Sequence, residues 1–222
     1  MQSSSHCFCI GRGEVEEEKV GRLCALLEVI SGRRRKDFKT HEYVLQGPER
    51  NPNMLWVEEH LLKEAQQPPT ASSSREASYK LCCSGRMRSA VQVKGNVGQM
   101  RSLIEVDLTC ETKQKLFSFL EDLNFSIMHD FVKEGYVFHL LERGTESLLL
   151  DQSENKFQLY AKVVQLKTCA GMEEEEEEVV FPGKWLVELV AKASGAEYTQ
   201  AILNFEEAAK KISSIVQVQA TK

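Results

Sequence analysis

Extended segments outnumber helical ones along this chain, and that imbalance narrows the folds open to it. Residues 40–46 (THEYVLQ), 54–62, 79–84 and 103–108 (LIEVDL) join β-branched or aromatic residues to partial alternation, as half-buried strands do. A short apolar run at 7–10 (CFCI) precedes them, and 125–132, 136–141, 147–150, 156–167 and 184–192 follow in the same style. Lys133, Glu134 and Gly135 read as a hairpin turn joining 125–132 to 136–141. About eight antiparallel strands expose two edges unless the sheet closes, so a closed β-barrel is the expected architecture.

Three stretches carry helical periodicity. Val20, Leu23, Cys24, Leu27 and Ile30 form one stripe over 15–30, stopped by Gly32. Leu116, Phe119, Leu120 and Leu123 lie at i, i+3, i+4 and i+7 within 111–123. Ile202, Phe205, Ala209, Ile212 and Val216 mark a last helix, with capping-box spacing at Ser194 and Glu197. The expected class is therefore α+β, mainly β, with about three helices packed on about eight strands. We read one domain over 1–222, with flexible insertions near 63–78 and 170–180. The first holds two prolines and four serines; the second holds six consecutive glutamates, 173–178. Like charges at that density repel and stay solvated.

Composition limits function. A net charge of −5 and a pI of about 5.7 oppose a general nucleic-acid footprint, so direct specific DNA binding is not expected. No run approaches the ~18 apolar residues of a membrane helix. The opening MQSSSHCFCIGRG lacks the basic start and long apolar core of a signal peptide. Arg33, Arg34, Arg35 and Lys36 would serve as a nuclear localisation signal, or simply as solvated charges offsetting a helix C-terminal dipole; the second is the simpler reading.

Catalytic and metal signatures are weak. Seven scattered cysteines include no CxxC, which argues against a zinc ribbon or a thioredoxin-type pair. Cys7 and Cys9 share a strand face near His6, yet they read more simply as small packed hydrophobes. His41–Glu42 and His129–Asp130 are adjacent pairs, and neighbours on a strand face opposite ways, so neither is a local dyad. VKGNVGQM (93–100) lacks both GxGxxG and GK[ST] and reads as a turn. Trp56 and Trp185 read as buried or interface anchors. The expectation is a non-enzyme with no catalytic residues, no cofactor, no metal and no small-molecule substrate.

Three ordered blocks carry a resemblance. They are THEYVLQGP (40–48), LFSFLEDLNFSIMHDFVKEGYVFHLLERG (116–144), and KWLVELVA (184–191) followed by NFEEAAKKI (204–212). Together they resemble the Mediator subunit 18 family, a head-module component of the RNA polymerase II coactivator. In that family a glycine stands where this chain has Asn124, which also tolerates a left-handed cap. The resemblance implies an antiparallel barrel related to the triphosphate tunnel fold. It also implies a nuclear, non-catalytic role in transcription regulation and a heterodimer with Mediator subunit 20. Docking of a helix from subunit 8, and contacts with other head subunits and RNA polymerase II, follow from it as well. Tunnel enzymes carry Glu-x-Glu-x-Lys on the first strand to hold metal. Here the first strand, read as CFCI, has no carboxylate. The nearest imitation, EVEEEK (14–19), has Val15 four residues before Lys19 and leads into a helix.

Overall fold

A computed structural model describes residues 3–47, 54–61, 77–88, 100–110, 112–143, 157–168, 177–193 and 197–220. In chain order the elements are β1 (Ser3–Glu16), α1 (Glu17–Ser31), β2 (Lys36–Gln46), β3 (Met54–His60) and β4 (Ala77–Arg88). Then come β5 (Met100–Cys110), α2 (Lys113–Asp122), β6 (Ser126–Arg143) and β7 (Phe157–Thr168). The two-residue β8 (Glu178–Val179), β9 (Lys184–Ala193), α3 (Tyr198–Ile212) and two-residue β10 (Gln219–Ala220) complete the described chain.

Eight strands close a barrel through antiparallel pairs. The circuit runs β1, β5, β4, β3, β2, β6, β7, β9 and back to β1. β8 extends the edge of β7, and β10 lies against Gly11 and Arg12 of β1. This is the barrel expected from the strand count, with its three helices outside the sheet.

Each strand shows one set of residues to the helices and the alternate set to the interior. Cys9 of β1, Leu159 and Ala161 of β7, and Leu189 and Ala191 of β9 face outward. They pack under Leu23 and Leu27 of α1 and Ile202, Phe205 and Ile212 of α3 in the largest core. A second core holds Tyr43, Leu45, Val57 and Tyr79 beneath Leu116 and Leu120 of α2. Cys7 and Cys9 are thus packed hydrophobes, and burial pushes the Cys9 thiol up to about 11. The inner face differs. Phe8, Cys82 and Leu103, with Ile10 and Trp56, form a small apolar plug, and most other inward positions that are buried are polar.

The helices end as their sequences direct. Gly32 closes α1 at φ 63°, its N–H donating to the Glu28 carbonyl. Thr112 caps α2 by accepting from the Lys115 N–H at 3.3 Å, and Asn124 takes φ 61° after it. The capping box at α3 does not form: Glu197 is the N-cap and makes no side-chain capping bond, while Ser194 lies outside the described residues.

Other expectations need correction. No hairpin turn exists at 133–135; β6 is one strand of 18 residues. Gly135 sits in mid-strand because the β7 backbone approaches closely there: a Cβ would collide with the Val163 carbonyl and lie 2.9 Å from Val164 Cα. β1 does not stop at residue 10 but runs through Gly11 and Gly13 to Glu16. Of the insertion near 63–78, Ala77 and Ser78 belong to β4. Of the insertion near 170–180, residues 178–180 join the sheet edge. The proposed strand 147–150 and the turn 93–99 lie outside the described residues.

Candidate functional site

The barrel interior is the most unusual chemical environment in the molecule. Lys133 of β6 reaches Glu42 Oε1 of β2 at 2.9 Å and Glu188 Oε2 of β9 at 3.2 Å. Arg12 Nε of β1 lies 3.1 Å from Glu188 Oε1, and Lys192 of β9 lies 2.6 Å from Glu105 Oε1 of β5. Glu58 of β3 accepts from the Trp56 indole at 3.0 Å and feels the charge of Lys162 of β7 most strongly. Glu42, Lys133 and Glu188 are all buried. Four acids and four bases thus neutralise one another along the strands.

Burial and pairing pull these groups in opposite directions. Burial alone would raise the Glu188 carboxyl, yet Lys133, Lys162 and Arg12 bring it down to about 2. At Glu42 burial wins over Lys133, and the carboxyl is pushed upward. Burial also works against the Lys133 ammonium, but Glu188 and then Glu42 raise it above the ordinary value. Leaving any one partner alone inside would cost several kcal/mol, about 3–5 for a broken buried pair. The interior is chemically specialised even though the chain carries no Glu-x-Glu-x-Lys on its first strand.

Sequence reasoning missed this cluster, although a signal existed. KWLVELVAK places Lys184, Glu188 and Lys192 four apart, on one face of a strand whose other residues are apolar. The pattern alone does not say which face meets the interior. Helices cover the outside here, so the polarity of the strands is inverted.

Other expected features resolve differently. Because β1 reaches Glu16, Glu14 and Glu16 lie on a strand and share a face, so the first strand does carry carboxylates. Glu14 is tied to Lys184 Nζ at 2.9 Å. Among the described residues no group of three or more His, Cys, Asp or Glu is arranged to hold a metal ion. The two adjacent pairs stay apart locally, but one member of each meets across β2 and β6. His41 Nε2 lies 2.7 Å from Asp130 Oδ2, and the Tyr43 hydroxyl lies 2.7 Å from His41 Nδ1 and donates to Glu59 Oε2 at 2.9 Å. The Tyr43 phenol in the middle of this relay is 2 % exposed, and the relay runs from Asp130 to Glu59, one carboxylate at each end. Trp185 stacks on Tyr136, with ring centroids 5.9 Å apart, and Trp56 belongs to the inner plug, so both are packing residues.

On the outside, Phe119 of α2, its C-cap Leu123, and Ile127 and Met128 of β6 are exposed, Phe119 by 59 % and Met128 by 56 %. A register shift between β2 and β6 near Val44 and Leu45 leaves Met128 without a partner in the ladder, which pushes this short segment outward.

These features define a class: closed eight-stranded antiparallel barrels with helices on the outer wall and a self-neutralised charge cluster within. Among solved structures, the chain is similar over 96 % of its length to a chain of the Schizosaccharomyces pombe Mediator head module. That match covers 97 % of the other chain at 12 % identity, with a TM-score of 0.67. A second likeness is to the PH1819 protein of Pyrococcus horikoshii OT3, with 11 % identity and a TM-score of 0.54, covering 97 % of this chain and 94 % of that one. No family model and no curated protein matches the sequence. No helix among the described residues is long and apolar enough to cross a membrane.

Proposed function

We propose that this chain is a non-catalytic subunit of the Mediator head module, coupling regulators to RNA polymerase II in the nucleus through protein–protein contacts. The observation that carries the reading is the end-to-end fold likeness to the Schizosaccharomyces pombe head-module chain, to which the three sequence blocks above also point. Physical reasoning supports it. Lys133 and Lys192 each pair with an interior carboxylate, so an incoming ligand would have to break those pairs to bind them. The exposed apolar residues at the end of α2 offer contact area instead.

On this reading the partners are Mediator subunit 20, as a heterodimer, and a helix of subunit 8. Affinity purification from nuclear extract should recover Mediator head subunits, identified by mass. Light scattering should show the lone chain self-associating and the co-expressed pair with subunit 20 monodisperse. A clean monomer that ignores subunit 20 would remove the main support.

A divergent triphosphate phosphohydrolase is the second reading, favoured by the shared face of Glu14 and Glu16 and by the inward lysines. The two separate by assay. Purified protein with magnesium or manganese should release no phosphate from tripolyphosphate, and turnover that follows the protein through purification would decide for the enzyme.

A further inference from the structure

Lys39 of β2 and Lys167 of β7 stand on either side of β6 on the outer wall, and they act as two jaws for a carboxylate. Glu177 bridges them, with Oε1 2.6 Å from Lys39 Nζ and Oε2 3.0 Å from Lys167 Nζ. Each oxygen takes a different ammonium. Glu134 of β6 lies between, 2.7 Å from Lys167 and 3.6 Å from Lys39. The two lysines are 24 % and 20 % exposed, while Glu177 lies exposed on the outer wall, and it is the bridging geometry, one oxygen to each ammonium, that defines the site.

Glu134 and Glu177 are held in different ways. Glu134 is fixed inside an 18-residue strand. Glu177 precedes a two-residue strand joined to β7 through Lys167–Val179 and Thr168–Glu178, with further bonds from the Val180 N–H to the Leu166 carbonyl and from the Thr168 hydroxyl to the Glu178 carbonyl. Few bonds need to open for Glu177 to leave. It is also one of six consecutive glutamates in the sequence. In sequence, the exposed Arg33, Arg34, Arg35 and Lys36 precede Lys39, with Asp37 among them, and the exposed Glu178 follows Glu177. Lys39, then burial in the opposite sense, leaves Glu177 below the ordinary carboxylate range, and Lys167 does the same for Glu134. Both acids are ionised ligands.

We propose that the Lys39–Lys167 pair is a binding site for an acidic peptide segment of a partner, and that Glu177 occupies it as an exchangeable competitor from within the chain. Withdrawal of Glu177 leaves two ammonium groups against one carboxylate, and a partner's Glu or Asp restores the balance. This does not rest on the Mediator reading.

The test uses the full chain and a fluorescent hexaglutamate peptide, read by anisotropy at about 50 mM salt, where charges are weakly screened. Glu177→Gln should tighten binding about 5- to 10-fold over the natural chain. Adding Lys39→Met and Lys167→Met to that variant should abolish the gain. If this triple variant melts early, Lys167→Gln in the Glu177→Gln background takes its place and should remove most of the gain. Glu178→Gln removes the same charge beside the jaws, without a salt bridge to them, and should change affinity by less than about twofold. No tightening by Glu177→Gln, equal tightening by Glu178→Gln, or a gain that survives loss of the lysines would each overturn the proposal.

Discussion

Glu188 and Glu42 share the ammonium of Lys133, yet they respond to acid in opposite ways. Glu188 is held near 2 against an ordinary 4.5, so its contribution is full above about 4.5 and disappears as pH falls toward 2. Glu42 is displaced upward. Its proton is easier to bind in the folded barrel, so its contribution favours the fold at low pH and is lost as pH rises through its folded value. Glu188→Gln should therefore cost about 3–5 kcal/mol at pH 7, since Lys133 and Arg12 lose a common counter-charge. That corresponds to a fall in Tm of roughly 10 °C for a domain of this size. Glu42→Gln should cost less than half as much. Thermal melts of both variants at pH 7 and pH 4 check this; equal losses at pH 7, or a Glu188→Gln penalty that does not shrink in acid, would contradict the assignment.

Elements carry the next constraint, and β6 shows it best. It pairs with β2 on one side and β7 on the other, and Gly135 marks where β7 comes closest. Gly135→Ala places a methyl against backbone that cannot rotate away, so it should cost about 1–3 kcal/mol. Amide exchange should quicken first at the β6–β7 pairs around Val163 and Val164 and stay slow in the β1–β9 ladder; uniform loss of protection would argue against a local cause. The same glycine shows how far the sequence could be read. The stripes of α1 and α2 and the stop at Gly32 are local and were legible, while the left-handed Asn124 came from the family resemblance. A glycine within an apolar run signals either a turn or a close approach, and only the neighbouring strand decides which. Alternation likewise reveals two faces without saying which one meets a helix, so the charges of Glu42, Glu105, Lys162 and Glu188 were legible as a pattern but not as an interior. The Lys39–Glu134–Lys167 grouping joins three strands distant in sequence and left no local trace.

At the scale of the whole molecule, the outer wall is unevenly covered. Helices α1 and α3 seal one side, while the end of α2 and the start of β6 leave Phe119, Leu123, Ile127 and Met128 open. If this patch drives self-association, Phe119→Glu with Met128→Glu should reduce light scattering by the lone chain and lower Tm by less than about 4 °C. Unchanged scattering would place the sticky surface elsewhere. The closing of the ring has a kinetic consequence. β1 pairs with β5 along residues 3–8 and with β9 along residues 7–16, so the first strand made must wait for the last strand of the ring. At about 5–20 residues per second, synthesis from β1 to the end of β9 takes roughly 10–40 s. Through that interval β1 offers the ribosome exit a row of unpaired amides, and a β9 from a neighbouring nascent chain fits them as well as its own.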